Sequence, residues 1–325
     1  MTDSPTKVAV VGTGAWWGFH HARVFSTLAD TELCAIVGRD PERTADRARR
    51  FGARPYVDVG EMIERERPDL ISACLPNEGH FAPTLALIRT GIPLLVEKPL
   101  VFSLEEADTL LAEARDQFFA INFNHRYARP VQLAAEAVRS GRLGRLVFAS
   151  WRFGGESGTG DHPHANLIET QCHGFDMLEH LCGPISSVAA QMTGGPPYPT
   201  VAVSLSFAGG AVGTLLGSYD SSYAYPGTHL LELNGTEGRV LIEDTVRRYT
   251  FTHAGDEVSQ VWQAGYFNDA DRGFHATFDR HADALIAAFR AGAPPPVHAR
   301  AGRRALELAH AVIRSYESGT RIDTP

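Results

Sequence analysis

The chain has 325 residues, 44% of them hydrophobic, and its 30 Lys plus Arg against 38 Asp plus Glu give a formal net charge of −8. That length suits two domains, each able to bury a core, while a sequence pI near 5.9 and scattered Lys and Arg exclude the basic field that nucleic acid requires. Cys34, Cys74, Cys172 and Cys182 sit in apolar stretches without a CxxC pair, and no apolar run reaches the ~20 residues of a membrane span, so the expectation is a soluble cytoplasmic protein with reduced, buried thiols and no membrane partner.

Residues Lys7 to Asn124 alternate short apolar runs with helical patterns. Val8-Ala9-Val10-Val11 reads as a strand entering Gly12-Thr13-Gly14 and an amphipathic helix to Leu28. A strand over Leu33 to Val37, a helix over Pro41 to Phe51, and strands at Tyr56-Val57 and Leu70 to Leu75 follow. Ala82 to Thr90 is a helix closed by Gly91, and Ile92 to Val96 a strand ending in Glu97-Lys98-Pro99. Ser103-Leu104-Glu105-Glu106 is a capping box that opens another helix, and Phe118 to Phe123 a sixth strand. Such βα alternation predicts a doubly wound parallel sheet, a Rossmann domain over residues 1–124.

In that frame the glycine turn acquires a role. Gly12 permits a tight turn after the first strand, and Gly14 lets the backbone of Gly12-Thr13-Gly14-Ala15 approach a pyrophosphate at the helix N-terminus. The third glycine is displaced to Gly18, with Trp16 and Trp17 between, which predicts a loosened or reshaped helix–strand contact. At the end of the second strand, where an NAD-specific protein carries Asp or Glu for the ribose 2′-hydroxyl, this chain has Gly38-Arg39. A guanidinium there suits a 2′-phosphate, so NADP is favoured, with NAD still possible. The plainer reading makes Arg39 a solvated loop residue and Asp40 an N-cap before Pro41.

Beyond Gly141 the pattern changes. Leu146 to Phe153, Thr200 to Phe207, Ala211 to Ser218, His229 to Asn234 and Arg239 to Glu243 alternate like strands, joined by turns such as Gly209-Gly210. They predict an α+β domain over 125–325 with a large, mainly antiparallel open sheet, one face covered by helices. His275 to Arg290 and Gly302 to Ser318 are closing helices separated by Pro294-Pro295-Pro296. Between the first strand and the rest, Leu167 to Leu181 reads as one helix. Ile168, Cys172, Phe175 and Cys182 form its apolar stripe, and Glu169, His173, Asp176 and His180 fall at i, i+4, i+7 and i+11. Four ionisable groups on one face point to catalysis, to a solvated polar face, or to a metal site with His and carboxylate ligands; the expectation is catalysis and no metal.

With Gly12-Thr13-Gly14, Leu75-Pro76-Asn77-x-x-His80 and Glu97-Lys98-Pro99, the chain resembles the Gfo/Idh/MocA oxidoreductases, nicotinamide-dependent sugar and cyclitol dehydrogenases. The likeness continues through Asn124-His125-Arg126-Tyr127-x-x-Pro130, Ser140-Gly141-x-x-Gly144, Glu169-x-x-x-His173-x-x-Asp176 and Asn234-Gly235-Thr236-Glu237-Gly238. The resemblance implies catalytic roles for Lys98, Glu169 and His173; the family's usual acid is Asp, so Glu169 is a departure. It also implies a homodimer or homotetramer formed through the second sheet.

Oxidising a secondary alcohol needs a base for the hydroxyl proton and a positive group beside the developing alkoxide. His173 suits the first role and Lys98 the second, with the reverse assignment open and Glu169 positioning one of them or binding a neighbouring hydroxyl. Pro76, Asn77 and His80 are expected along the nicotinamide ribose beside Glu97 and Lys98. Asn124, Arg126, Trp151, Arg152, His164, Asn166 and Asp176 are the candidates for sugar contact, although His162-Pro163-His164 reads equally as a polar loop. Two other classes stand beside the dehydrogenase: a redox-assisted glycoside hydrolase or lyase holding its cofactor, and a non-catalytic NADP-binding regulator.

Overall fold

The computed structural model describes residues 4–77, 79–155, 162–193, 195–222 and 224–324. Two compact units emerge: Met1–Asn122 with Phe278–Arg303, and Phe123–Thr277 with Arg304–Pro325. A single cut between residues 124 and 125 does not describe this division. The segment Phe278–Arg303, expected with the second domain, belongs to the first because Phe278, Ala282, Leu285 and Ile286 are buried in its core beside Val8, Val10 and Phe25.

The first unit is built from β1 (Thr6–Val11), α1 (Trp17–Thr27), β2 (Thr31–Val37), α2 (Pro41–Phe51), β3 (Arg54–Tyr56), α3 (Val59–Glu66), β4 (Leu70–Ala73), α4 (Phe81–Ile88), β5 (Leu94–Val96), α5 (Leu104–Ala114) and β6 (Phe119–Ile121). Its six strands are all parallel and run in the order β3-β2-β1-β4-β5-β6, the expected doubly wound sheet. Strands buried on both faces explain the uninterrupted apolar runs that announced them. Caps set the helix limits: the Asp40 side chain accepts from the Arg43 N–H ahead of Pro41, Ser103 accepts from Glu106, and Gly52 closes α2 at φ 70°. The helix α3 is an addition to the sequence reading, capped by Asp58, which accepts from the Glu61 N–H at 2.7 Å.

The second unit opens with a 3-10 turn over Asn124–Tyr127, followed by α6 (Arg129–Arg139), β7 (Leu146–Gly154), a π-helical turn over Asn166–Thr170, α7 (Cys172–Cys182), β8 (Ile185–Thr193), β9 (Thr200–Phe207), β10 (Val212–Ser218), β11 (His229–Gly235), β12 (Gly238–Glu243), β13 (Arg248–His253) and β14 (Gln260–Gln263). A short α8 (Asp269–Arg272) leads to α9 (His275–Arg290), most of which lies in the first unit; α10 (Arg300–Ser318) and β15 (Ile322–Asp323) end the chain. The nine strands run β14-β13-β12-β11-β7-β10-β9-β8-β15, with β7 and β10 parallel and the other pairs antiparallel. One face is buried. On the other, Phe148, Val212 and Leu216 are exposed among Ser150, Thr214 and Ser204.

The expected helix Leu167–Leu181 is broken into the π turn and α7, which rotates Glu169 relative to the residues after it and ends the simple i, i+4 face. The four cysteines are free. Among the described residues no helix is long and apolar enough to cross a membrane.

Candidate active site

Strand order reverses between β1 and β4, and the loops leaving their carboxyl ends part there, where an open α/β sheet forms its crevice. A cleft of about 1080 Å³ lies at that point, lined entirely by first-unit residues. Gly12, Thr13, Gly14, Ala15, Trp16 and Trp17 line it, as do Gly38 and Arg39 from the end of β2, Pro76 and Asn77 after β4, and Glu97 and Lys98 after β5. His80 is not among the lining residues. It is 5% exposed and its Nε2 donates to the Leu75 carbonyl at 2.9 Å, so it braces the loop that carries Pro76 and Asn77 from behind. Burial holds its pKa below the usual histidine value.

The glycine turn is shaped by close approach. Gly12 has φ +132°, and a Cβ there would lie 2.3 Å from the Cys74 carbonyl oxygen. In front of Gly14 the space is open, so a ligand can reach its backbone. Of the two outcomes expected for the displaced third glycine, the contact is reshaped and not loosened: a Cβ on Gly18 would stand 2.7 Å from the Gly12 oxygen, so Gly18 is what brings α1 tight against the turn. No side chain caps the start of α1, and Trp17 and Gly18 of its first turn line the cleft. Reversed strand order, an open Gly14 and an uncapped helix start together fit a dinucleotide.

At the end of β2 the carboxylate of Asp40 is engaged in capping α2, at 3.1 Å from the Arg43 N–H. Arg39 and Arg43 are both exposed and line the cleft beside it. Arg43 was not foreseen, although its place on the first turn of a helix starting at Pro41 was a usable signal. Gly38 has a packing reason of its own, since a Cβ there would come within 2.5 Å of Thr13 Cγ2 and Thr44 Oγ1.

Glu97, expected beside the cofactor, lines the cleft, and its carboxylate is held inside the unit. Oε1 accepts from His21 Nε2 and Asn122 Nδ2, each at 2.7 Å, and Oε2 accepts from the Lys98 N–H at 3.3 Å. His21 Nδ1 meets Ser72 Oγ at 2.7 Å, and Asn122 Oδ1 accepts from His281 Nδ1 at 2.9 Å. Every member of this chain is at most 4% exposed. It ties α1, β4, β5, β6 and α9 to the peptide that carries Lys98. Cys74, at the floor of the cleft, has its thiol pushed well above its ordinary pKa by burial and then by Glu97, which makes it a packing residue.

In the second unit the candidates divide. His173 is 6% exposed on α7, and its ring stacks on His125 with centroids 4.0 Å apart and planes 7° from parallel. Phe123, Trp151, Phe153 and Phe274 complete an aromatic surround. Glu169 is half-buried on the π turn. Asp176, expected to touch sugar, instead takes Arg126 in a fork, Nε at 2.8 Å and Nη2 at 2.5 Å. Burial raises the Asp176 carboxyl above its ordinary pKa despite the opposing pull of Arg126. Asn124 Nδ2 donates to Thr277 Oγ1 at 2.7 Å while its Oδ1 takes no hydrogen bond among the described residues, Trp151 Nε1 donates to Gln171 Oε1 at 3.2 Å, and Asn166 Nδ2 to the Pro199 carbonyl at 2.8 Å.

Arg152 lies on the exposed face of β7, opposite buried Trp151, and donates to the Gly227 carbonyl at 2.7 Å. His164 stacks on Tyr198 at 4.9 Å. His180 is exposed at the last turn of α7. Among the described residues no three His, Cys, Asp or Glu side chains converge as metal ligands. The structure thus gathers His173, His125 and Trp151, and sets Arg152 and His164 in other surroundings. Gly174 permits the gathering, because a Cβ there would be 2.5 Å from Trp151 Nε1.

Comparison with known proteins gives two family matches. "Oxidoreductase family, NAD-binding Rossmann fold" covers residues 6–124, and "Oxidoreductase family, C-terminal alpha/beta domain" covers 130–324. The chain is 32% identical over 155 residues to the D-glucoside 3-dehydrogenase of Escherichia coli (strain K12), spanning 47% of this chain and 44% of that protein. It is 25% identical over 325 residues to the inositol 2-dehydrogenase of Rubrobacter xylanophilus, spanning 96% of this chain and 91% of that one. A solved levoglucosan dehydrogenase, in complex with NADH and levoglucosan, superposes with a TM-score of 0.89 at 20% identity over 99% of this chain and 100% of its own, a likeness of fold.

Proposed function

Because the chain belongs to the Gfo/Idh/MocA family of oxidoreductases, we propose that it is a nicotinamide-dependent dehydrogenase acting on a secondary alcohol of a sugar or cyclitol, with NADP preferred. The observation that carries this reading is the first-unit cleft, where the glycine turn, the uncapped start of α1 and Lys98 line one cavity. The named relatives that act on inositol and on D-glucosides support the substrate class.

When bound, the oxidised nicotinamide supplies a hydride acceptor. The backbone of Gly14 would meet the pyrophosphate, with Gly12 shaping the turn and giving its own N–H to the Val37 carbonyl at 2.9 Å, and Pro76 and Asn77 would flank the ribose of the nicotinamide half. An imidazole nitrogen of His173 takes the hydroxyl proton, and the Lys98 ammonium bonds the reacting oxygen and steadies the alkoxide. Glu169 orients the sugar through a neighbouring hydroxyl. Lys98→Ala and His173→Ala are each expected to lower kcat by about a hundredfold or more with NADP affinity within a few fold, because both groups act in the transition state. Turnover at the wild-type rate in both variants would refute the assignment. Screening NADP reduction against pyranoses and cyclitols, with products followed by mass spectrometry, identifies the substrate, and net oxidation separates this enzyme from a hydrolase that returns the hydride.

The NADP preference rests on Gly38, which offers no carboxylate, and on the Arg39 and Arg43 guanidiniums beside it. Fluorescence titration, reported by Trp16 and Trp17 in the cleft wall, is expected to give NADP at least about tenfold tighter binding than NAD, or about 1.4 kcal/mol. Equal affinities would refute it. The exposed sheet face bearing Phe148, Val212 and Leu216 is the surface on which a second copy docks. The free thiols support a reducing, cytoplasmic setting.

A further inference from the structure

The ring beside the proposed base belongs to a residue that the reaction above does not use. His125 sits in the middle of the 3-10 turn Asn124–Tyr127, and both its neighbours are pinned. Asn124 donates to Thr277 Oγ1, and Arg126 forks onto Asp176 of α7, three residues after His173. These two anchors, one on α9 and one on α7, hold the turn where the His125 ring lies flat on the His173 ring, 4.0 Å away and 7° from parallel, with the two residues 2% and 6% exposed.

We propose that His125 is the positioning residue for His173, holding its imidazole in one plane and sharing its titration, so that the two rings take up protons as a coupled pair. The proposal rests on His173 as the proton acceptor. A second proton on the pair would place two cations face to face among Phe123, Trp151, Phe153 and Phe274, where little water screens them. On the pair's own segments stand Arg126 and Tyr127 beside His125, and Glu169 and Asp176 either side of His173, with Asp176 already taken by Arg126. From β11, His229 stacks on the Phe153 ring, which in turn meets His125.

In the oxidation a bound nicotinamide would accept the C–H electron pair as hydride, and the O–H electron pair would close the new C=O bond. The hydroxyl proton goes to His173. His125 stays neutral throughout and offers its ring face to the new imidazolium, a stacked cation–π contact. The proton then passes to solvent and His173 returns to its neutral form. If His125 carries the first proton instead, His173 stays neutral but takes the hydroxyl proton only by placing a second charge on the pair, so turnover already falls with the first step.

The test uses the full-length protein labelled with ¹⁵N-histidine and titrated from pH 5 to 8.5 by NMR. The pair identifies itself in the wild type by the ring-to-ring NOE that a 4.0 Å stack produces. The expected result is that both rings respond in each of two steps separated by more than about one pH unit, the mark of coupled sites. In His125→Phe, which keeps a flat ring without a proton site, His173 titrates in one step, and the acid limb of kcat/KM narrows from two steps to one. His125→Gln gives the same single step. Independent one-step curves for the two wild-type rings overturn the proposal even if His173→Ala is inactive, and they need no variant to fold. Full turnover in His173→Ala would sink the base assignment, while the wild-type NMR curves would still decide the coupling.

Discussion

Asp176 distinguishes a group that binds sugar from one that holds the fold, and Asp176→Ala tests which it is. Its side chain is 2% exposed and that of Arg126 is 21% exposed, so the fork between them is largely desolvated. Removing the carboxylate leaves a guanidinium facing protein without its partner, a change that costs about 3–5 kcal/mol at fully buried pairs. The remaining fifth of exposure lets water reach one edge of Arg126, which places the expected loss near the lower limit, about 3 kcal/mol. For a unit of this size that corresponds to a fall in Tm of roughly 6–12 °C by calorimetry. Asp176→Asn keeps an acceptor and loses about half as much. Replacing both partners by apolar residues of similar volume, Arg126→Met with Asp176→Leu, recovers most of the loss, since no charge is then stranded. A melting temperature unchanged within about a degree in Asp176→Ala, accompanied by a large rise in KM for the sugar, would refute the reasoning and return Asp176 to the substrate.

Gly38→Asp does not convert the enzyme to NAD, because the new Cβ meets Thr13 and Thr44, and Thr44 Oγ1 is tied to the Asp40 carbonyl at 2.6 Å. Affinity for both cofactors falls instead, and a clean switch to NAD in the fluorescence titration would contradict this. Arg39→Ala is expected to weaken NADP by about tenfold and NAD by little, the loss of one charge-assisted contact. His80 has its folded pKa held below 6.5 by burial, so the unfolded chain binds the proton that the native state refuses. Its contribution is whole above pH 6.5 and is lost as pH falls through and below that value, by at most about 1.4 kcal/mol per pH unit. Denaturant melts of His80→Asn between pH 7 and pH 5 are expected to show a flatter decline than the wild type, and a steeper one would reverse the sign. Leu216→Glu on the exposed sheet face is expected to shift the protein to monomer by light scattering, and an unchanged mass would place the interface elsewhere.

The sequence was most legible where a local device ends an element. Asp40-Pro41 and the left-handed Gly52 set α2 to the residue, and strict alternation did the same for β9. The strand β8, with Ser186, Ser187, Ala189 and Ala190, offers little contrast between its faces and was passed over. The cleft was readable because its residues cluster in three short motifs at strand ends. The chain from Ser72 through His21, Glu97 and Asn122 to His281 was not, because its links join positions up to 159 apart and each residue alone reads as an ordinary polar group on a buried face.

Other misses were avoidable on the same physics that succeeded elsewhere. Once Leu146 to Phe153 is a strand, Trp151 and Arg152 must face opposite ways, so only one of them can share a side with α7. The π turn had no comparable signal: it follows from packing, since α7 must bring Gly174 against Trp151 while Gln171 reaches both Trp151 and Asn166. The turn and the stacked histidines therefore have one origin. In the motif Asn124-His125-Arg126 the fold engages Asn124 Nδ2 and the Arg126 guanidinium, and those bonds are what aim the ring between them at His173.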